Sequence, residues 1–326
     1  MIDKNNKAEE VILTIAIPTY NRYDEVQTQV RLLLPQLSQQ VNLVVYDNCS
    51  TIPISEYFSK EELLKFKLVR NKVNVGADAN IARCFENCET TWLWTLSDDD
   101  FVKENAVETI IQQIESKREA LFFCFWEKED FETRNFEELS NKFKSGVVYC
   151  DSFTMSRCLY NMSMLKYSLI DYYANISSMV GTMILVLKYV EKNDSGNCIY
   201  LNKAIIEKWN EDVGWNYERF INRSFLFLDA FGTKYNKRYQ KTLFIGHHIT
   251  NYSLLLLDRK SSNVGQRQKL HLLKFIIGSQ GLLNAIRYTP TMFFKALMMI
   301  LSKNAFFTWI PFVLNKTIPL AKKIKK

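Results

Sequence analysis

The chain has 326 residues, of which 47% are hydrophobic and 24% are charged. This composition excludes a disordered or fibrous protein and fits one large globular domain, with or without a smaller appendage. Seven cysteines at irregular spacing form no pattern typical of a disulfide framework or a zinc site. The polar opening segment MIDKNNKAEE does not resemble a signal peptide, so we expect a reducing, cytosolic environment.

The net charge of +7 is distributed unevenly along the chain. Residues 259–326 hold 13 of the 42 Lys and Arg residues and no Asp or Glu, which leaves 29 basic and all 35 acidic residues in the preceding part. An acidic body with a basic end predicts a polyanionic partner for that end, either a membrane surface or nucleic acid.

Up to about residue 130, short apolar segments alternate with segments of helical periodicity. Such alternation is typical of βαβ units, in which helices cover both faces of a parallel sheet. The predicted strands are 12–17, 42–46, 66–69, 92–96 and 120–126, and the predicted helices are 25–37, 78–87 and 104–115. Further along, we predict a strand around 179–187 and a helix at 217–231.

Polar residues follow the predicted strands of this first part. The groups are Thr19-Tyr20-Asn21-Arg22, Asp47-Asn48, Arg70-Asn71 and Asp98-Asp99-Asp100. Because ligands of open α/β sheets bind outside the carboxyl ends of the strands, these groups predict one shared site. Three consecutive carboxylates repel one another, and a divalent cation shared with substrate phosphates would hold them. The alternative is a solvated turn before the next helix.

Four segments in this order resemble the family-2 glycosyltransferases: IAIPTYNR at 15–22, Asp47-Asn48-Cys49-Ser50, NVGADANIARCFE at 74–86 and TLSDDDF at 95–101. The resemblance covers about residues 11–130 and becomes weak beyond about residue 150. It implies the α/β fold named GT-A, with a mostly parallel central sheet flanked by helices. It also implies an enzyme that moves a sugar, with inversion, from a nucleoside-diphosphate donor to a saccharide acceptor.

The Ser-Asp-Asp-Asp form is similar to that of abequosyltransferase-like enzymes, which implies a role in bacterial surface polysaccharide (O-antigen or capsule) synthesis and a lipid-linked acceptor. We expect residues 1–130 to be the nucleotide-sugar-binding half and 131–258 the acceptor-binding half of the GT-A domain. Residues 259–326 are expected to form a helical, basic extension, which either associates with a membrane or packs on the core.

The membrane interpretation of residues 259–326 depends on their aromatic and aliphatic side chains, which are interleaved with Lys as in interfacial helices. Their apolar stretches are too short to span a bilayer. We therefore expect a cytoplasmic protein at the cytoplasmic face of the bacterial inner membrane, with no nucleic acid partner.

The resemblance also implies which residues bind the donor. Asp47 is expected to accept a hydrogen bond from the base of a UDP-type donor, or else it only caps a turn with Ser50. Arg22 either contacts the diphosphate or is simply solvated. The segment at Gly76 is expected beside the nucleotide, and the plainer interpretation, a helix cap with Asp78 as N-cap, is compatible with it. The full set is Pro18, Thr19, Asn21, Arg22, Asp47, Asn74, Gly76, Asn80 and Asp98.

The candidate ligands for the divalent metal, Mn²⁺ or Mg²⁺, are Asp98, Asp99 and Asp100. A literal Asp-x-Asp motif pairs Asp98 with Asp100, whereas alignment with the family's Asp-Ser-Asp-Asp form puts Ser97 first and Asp99 on the metal. We expect Asp98 near the ribose and Asp99 or Asp100 on the metal, which neutralises the leaving diphosphate.

Inverting transfer needs a base that deprotonates the acceptor hydroxyl. The resemblance implies an acid about 100 residues after the metal motif, for which Asp212 is the first choice and Glu211 the second. Asp171 and Glu218 are lesser options, and all of these are plain surface acids in the alternative interpretation. His247-His248 is either a further ligand or an ordinary pair of histidines.

Two rival functions remain open at this point. A catalytically silent, membrane-attached scaffold of a polysaccharide assembly complex would keep the same fold. A nucleotidyltransferase would be expected to have a glycine-rich phosphate loop after the first strand, whereas the sequence there is Pro-Thr-Tyr-Asn-Arg.

Overall fold

The computed structural model describes residues 10–143, 152, 154–178 and 180–207. In this part of the chain, one mixed eight-stranded sheet is flanked by helices. The strands are β1 (Leu13–Thr19), β2 (Val41–Asp47), β3 (Lys67–Arg70), β4 (Trp92–Thr95), β5 (Phe122–Phe125), β6 (Phe131–Thr133), β7 (Cys158–Asn161) and β8 (Cys198–Leu201). The helices are α1 (Tyr23–Leu33), α2 (Lys60–Leu63), α3 (Ala77–Glu86), α4 (Ala106–Ser116), α5 (Phe136–Phe143), α6 (Met162–Leu165), α7 (Leu169–Ala174) and α8 (Gly181–Asn193).

The order of the strands in the sheet is β3-β2-β1-β4-β7-β5-β8-β6. The first four are all parallel. Their register places Thr19 beside Asp47 and Asp47 beside Arg70, so three polar side chains end adjacent strands at one edge. The predicted βαβ organisation of this half is therefore confirmed.

The other half of the sheet is mixed. Strand β7 runs antiparallel between β4 and β5, β8 is parallel to β5, and β6 is antiparallel to β8. Because β7 starts where β4 ends, the short 3-10 turn Met155–Arg157 that precedes it lies at the carboxyl end of β4.

The core lies on both faces of the sheet, which explains why the strands are continuous apolar runs. Leu13, Ile15 and Ile17 of β1 are fully buried, and so is Trp94 of β4. Helix α1 packs through Val26, Val30 and Leu33, which lie on one face because they are three to four residues apart.

The strand predicted around residues 179–187 is wrong, because this segment belongs to helix α8. The residues Gly181–Leu187 are all buried, so their apolar run has neither the period of a strand nor that of a helix. Helix α1 is also shorter than predicted and passes into the 3-10 turn Leu34–Gln36, since Pro35 lacks the N–H that an α-helix needs. The predicted helix at 217–231 and the extension at 259–326 lie outside the described residues.

Helix α3 begins at Ala77 with Gly76 as its N-cap, so the alternative in which Asp78 is the N-cap is wrong. Gly76 has φ = +86°, a conformation that side-chain-bearing residues rarely adopt. A Cβ added there would meet nothing within 4 Å, so the glycine is required by the backbone conformation alone. None of the helices in the described ranges is long and apolar enough to cross a membrane.

Candidate functional site

Asp98 lies just beyond the end of β4 with only 4% of its surface exposed. The hydroxyl of Thr19 donates to its Oδ2 at 2.7 Å, and Nη1 of Arg22 donates to its Oδ1 at 2.9 Å. Both carboxylate oxygens of Asp98 are thus bound by groups at the end of β1 and the start of α1. The sequence prediction that β1 and β4 bring these residues together is confirmed.

Asp99 shares the guanidinium of Arg22 with Asp98. Nη1 of Arg22 lies 2.5 Å from Oδ2 of Asp99, and the hydroxyl of Ser97 donates to the other oxygen. Arg22 therefore bridges two of the three consecutive carboxylates and offsets their repulsion.

Asp100 is held from the opposite side by Ser156, a fully buried residue of the turn before β7. The hydroxyl of Ser156 donates to Oδ2 of Asp100 at 2.6 Å and accepts from the backbone N–H of Ser97 at 2.9 Å. The carbonyl of Ser156 accepts from the indole N–H of Trp94 at 2.8 Å. Within the described ranges no donor is found on Oδ1 of Asp100, which leaves that oxygen available to a ligand.

The backbone of the triplet is fixed by Gln29 of α1. Its Nε2 donates to the carbonyl of Asp100 at 2.9 Å and, more weakly, to that of Ser97 at 3.4 Å. Helix α1 thus carries Arg22 at its start and Gln29 two turns later, and both contact the triplet.

Burial is the main influence on the carboxylate pKa values. It raises the pKa of Asp98 to about 6, against the opposing effects of Arg22 and the Thr19 hydrogen bond. It also raises the pKa of Asp100, against the hydrogen bond from Ser156. Burial by itself would lower the pKa of Arg22, but the charges of Asp98 and Asp99 raise it overall. Raised carboxyl pKa values mean that further positive charge would be favourable here.

Asp47 is fully buried at the end of β2. Its Oδ1 accepts from the backbone N–H of Ser50 at 2.8 Å, which confirms the turn-capping contact. Its Oδ2 forms an ion pair with Nη1 of Arg70, the neighbouring residue at the end of β3. Nη2 of Arg70 also donates to the carbonyl of Ser50 at 2.6 Å. The role of Asp47 in binding a base stays a prediction.

A chain of asparagine amides connects the ends of β2 and β3 to the start of α3. Asn71 donates to Asn48 at 3.0 Å and to Asn80 at 2.8 Å, and Asn48 donates to Asn74 at 2.9 Å. Asn80 is buried and donates to the carbonyl of Tyr46 at 2.9 Å. Asn74 and Asn80 therefore shape the loop around Gly76, and their predicted contact with a nucleotide is not tested by this geometry.

The loop after β1 is held to the loop after β2. Asn21, with φ = +54°, accepts from the N–H of Thr51 at 2.8 Å and donates from its own backbone to Ser50 at 2.9 Å. The preceding Tyr20 is 44% exposed, and Pro18 lies within β1. Tyr20 is therefore an exposed aromatic residue directly after the end of β1.

Among the described residues, no candidate for the catalytic base is seen in contact with the triplet. Asp212, Glu211, Glu218 and the His247-His248 pair lie outside these residues. Asp171 lies on α7, which packs against α3 and α8, and no hydrogen bond or ion pair connects its side chain to the triplet in the described part.

Two contributors, Gln29 and Ser156, were not assigned from the sequence, and Arg70 was placed at the shared edge without a role. Arg70 stands at a predicted strand end, so its position carried a signal, although its pairing with Asp47 depends on the register of β2 and β3. Gln29 and Ser156 carry no such signal, since each reaches the triplet only through the packing of α1 and β7.

The described residues contain no group of three or more His, Cys, Asp or Glu residues arranged to hold a metal ion. Mg²⁺ nevertheless commonly binds one or two carboxylates and completes its shell with water and substrate phosphates. Asp100, through the Oδ1 that has no donor in the described ranges, fits such a partial site directly, and Asp99 fits it by exchanging Arg22 or Ser97 for the ion. The hard oxygen donors suit Mg²⁺ or Mn²⁺.

Comparisons with known proteins agree with this architecture. An uncharacterized glycosyltransferase of Haemophilus influenzae is 30% identical over 106 residues, which are 32% of this chain and 35% of that protein. The chain thus matches about a third of the length of this relative. Among solved structures, S. aureus TarS 1–349 has a TM-score of 0.60 at 13% identity, covering 89% of this chain and 90% of that one. Its complex with UDP-GlcNAc has a TM-score of 0.59 at 13% identity, covering 89% and 91%.

At this level of identity the TarS structures establish a shared fold, which is that of GT-A glycosyltransferases. Membership of a family follows from sequence. The family model described as "Glycosyl transferase family 2" matches residues 14–194, more than half of the chain. The protein therefore belongs to glycosyltransferase family 2.

Proposed function

We propose that this protein transfers a sugar from a UDP-type nucleoside-diphosphate donor to a saccharide acceptor, with the help of a divalent cation. The observation that carries the proposal is the clustering of Asp98, Asp99 and Asp100 with Thr19 and Arg22 at the edge where β1 and β4 end. Family membership supports the reaction class, and the diphosphate supplies the ligand that such an edge would bind.

The preference for a uracil base is supported by the Asp47–Arg70 pair. Uracil presents one N–H between two carbonyl groups, so a carboxylate beside a guanidinium complements its edge. Tyr20 offers an exposed ring on which a base would stack. The related fold of TarS in complex with UDP-GlcNAc is consistent with this donor class.

In this proposal Asp99 and Asp100 would hold Mn²⁺ or Mg²⁺, and Asp98 would keep Thr19 and Arg22 in place. A bound divalent cation would neutralise the charge that develops on the departing diphosphate. Gln29 and Ser156 would keep the two ligand carboxylates at a fixed spacing, because they hold the turn on both sides. The sequence also predicts that Asp98 contacts the ribose. Both oxygens of Asp98 are bound by Thr19 and Arg22, so it would reach the ribose only by exchanging one of these partners.

The finer features of the reaction rest on the family resemblance. They are inversion by a single displacement, with Asp212 or Glu211 as the base, and a lipid-linked acceptor in bacterial surface polysaccharide synthesis. The basic, aromatic composition of residues 259–326 supports attachment to the cytoplasmic face of the inner membrane.

Isothermal titration of the purified protein with UDP and Mn²⁺ tests the proposal. We expect binding by the wild type, and a loss of at least about tenfold in affinity for Asp99→Ala and Asp100→Ala, since each removes a ligand of the cation. Glu115→Ala, an exposed acid of α4, is the matched control and should bind like the wild type. No binding by the wild type, or equal binding by all variants, would contradict the proposal.

Product analysis separates the rivals. A glycosyltransferase releases a nucleoside diphosphate from a donor panel, a nucleotidyltransferase releases pyrophosphate from a nucleoside triphosphate, and a scaffold gives neither product. Flotation with anionic liposomes, compared with retention on DNA, decides whether the basic extension binds membranes. Retention on DNA without flotation would refute the membrane assignment.

A further inference from the structure

Arg22 is the positively charged group that contacts two carboxylates of the triplet. Its Nη1 lies 2.9 Å from Asp98 and 2.5 Å from Asp99, whose side chains are 6% and 17% exposed. The Arg22 side chain itself is 33% exposed, so it contacts the carboxylates on one side and solvent on the other. Arg22 is therefore paired with the carboxylates without being enclosed by the protein.

The balance of charge makes Arg22 the main counter-ion of Asp98 and Asp99. Another nearby cation in the described ranges is Arg157, whose charge opposes the rise that burial causes in the pKa of Asp100. Arg157 is also paired with Glu127, at 3.3 Å, so its charge is shared. The three carboxylates thus carry more negative charge than the described cations offset.

We propose that Arg22 is an internal counter-ion that makes cation binding depend on the nucleotide. In the free protein Arg22 is paired with Asp99. When nucleotide and cation bind together, Arg22 leaves Asp99 and pairs with the diphosphate. This inference rests on the proposed function, because it takes the nucleoside diphosphate as the ligand of this edge.

Two physical arguments support the exchange. A guanidinium and a divalent cation on the same carboxylate oxygen repel each other, so each weakens the binding of the other. A guanidinium also matches the fork of two phosphate oxygens, which gives Arg22 a new partner once the diphosphate is present. Without nucleotide the cation must compete with Arg22, and with nucleotide this competition is relieved.

The test measures Mn²⁺ affinity from the electron paramagnetic resonance signal of free Mn²⁺, without nucleotide and with saturating UDP. Arg22→Gln should bind Mn²⁺ alone about tenfold more tightly than the wild type, since the competing charge is gone. Its gain in Mn²⁺ affinity on adding UDP should shrink, because the variant has no competing charge for the diphosphate to draw away from Asp99. Arg31→Gln removes the same charge from the same helix, where it pairs with Glu62, and should behave like the wild type.

An Arg22→Gln variant that binds Mn²⁺ alone no more tightly than the wild type would overturn the inference. If this variant does not fold, as judged by thermal unfolding, Arg22→Lys replaces it, because its ammonium keeps a charge near the carboxylates but ends a shorter side chain than the guanidinium, so it should compete less well for Asp99. Arg22→Lys should show a smaller gain in Mn²⁺ affinity, and no gain overturns the inference. Failure of the wild type to bind UDP with Mn²⁺ refutes the proposed function instead, and it is seen in a separate titration.

Discussion

The two halves of the sheet contribute different properties to one site. The parallel half, β1 to β4, ends in ion pairs: Asp47 with Arg70, and Asp98 and Asp99 with Arg22. The mixed half, β5 to β8, is filled with aromatic side chains and is seen to contribute a single hydroxyl, that of Ser156, to the triplet among the described residues. The ion pairs at the site therefore come from the parallel half, and the mixed half adds a contact that positions Asp100.

The aromatic packing of the mixed half is extensive. Phe131 stacks on Tyr200 with ring centroids 4.3 Å apart, and Phe122 lies between Tyr200 and Tyr160 at 6.1 and 5.6 Å. Tyr160 in turn contacts Phe85 of α3 at 4.9 Å, which connects this packing to the parallel half. Substitutions in the aromatic packing should consequently affect mainly stability, whereas substitutions at the strand-end ion pairs should also affect ligand affinity.

The largest expected effect on stability is that of Phe122→Ala. Phe122 is fully buried, and its loss would leave a cavity between Tyr160 and Tyr200. We expect a loss of about 3–5 kcal/mol in the free energy of unfolding, measured by denaturant titration. The affinity of the remaining folded protein for UDP with Mn²⁺ should stay within about twofold, since no ligand-binding group is removed.

Leu64→Ala is the control for Phe122→Ala, because Leu64 is 87% exposed and should cost less than about 0.5 kcal/mol. A large loss of UDP affinity in folded Phe122→Ala would contradict the separation of roles between the two halves.

The next effect in size is expected for Arg70→Met in the parallel half. Asp47 is fully buried and would lose its cation, but Arg70 is 35% exposed, so solvent screens part of the pair. We expect a loss of about 1–3 kcal/mol in stability, below the range of a fully buried pair, and a loss of about tenfold or more in UDP affinity. Arg31→Met, which breaks an exposed pair with Glu62, should change neither. Unchanged UDP affinity in Arg70→Met would remove the argument for recognition of uracil.

Sequence reasoning predicts the parallel half well, for a physical reason. Its strands are buried on both faces and separated by amphipathic helices, so apolar runs and helical periodicity report directly on the structure. The clustering of Thr19, Arg22 and Asp98 follows from one rule, that the carboxyl ends of parallel strands share an edge.

The mixed half is less predictable because its contacts depend on packing between distant segments. Helix α8 is buried along most of its length, so its apolar run carries no period that would distinguish it from a strand. Ser156 reaches Asp100 only because β7 returns antiparallel beside β4, and Gln29 reaches the triplet only through the packing of α1. Such pairings between residues tens of positions apart leave no local pattern in the sequence.

The charge of the parallel half should also make cation binding depend on pH. The pKa of Asp98 is about 6, above its ordinary value of 3.8. The stability that its burial in the neutral form contributes is full below about pH 4 and is lost as the pH rises through 6. Protonation of Asp98 removes a negative charge beside Asp99 and Asp100, so Mn²⁺ affinity should fall as the pH decreases through 6.

This dependence is measured with Mn²⁺ alone, because the phosphate of a nucleotide itself titrates near pH 6. Asp98→Asn is the control, since an amide cannot titrate, and its Mn²⁺ affinity should depend less on pH. The dependence that remains would come from Asp100, whose pKa is also raised by burial. Equal Mn²⁺ affinity of the wild type at pH 5 and pH 7 would show that Asp98 does not control the site.

The smallest expected effect, and the sharpest test of the comparison, is that of Ser156→Ala, which removes the hydroxyl that the mixed half contributes to the triplet. Asp100 and the N–H of Ser97 would each lose a hydrogen bond, at a cost of about 1–2 kcal/mol in stability. We expect Mn²⁺ affinity in the presence of UDP to fall several-fold, up to about tenfold, because Asp100 would no longer be fixed. Ser152→Ala is a matched control, since this buried serine bonds to Tyr200 instead and should lower stability without changing Mn²⁺ affinity. If Mn²⁺ affinity fell equally in both serine variants, the loss would follow from lower stability in general, and the mixed half would have no specific role in positioning the triplet.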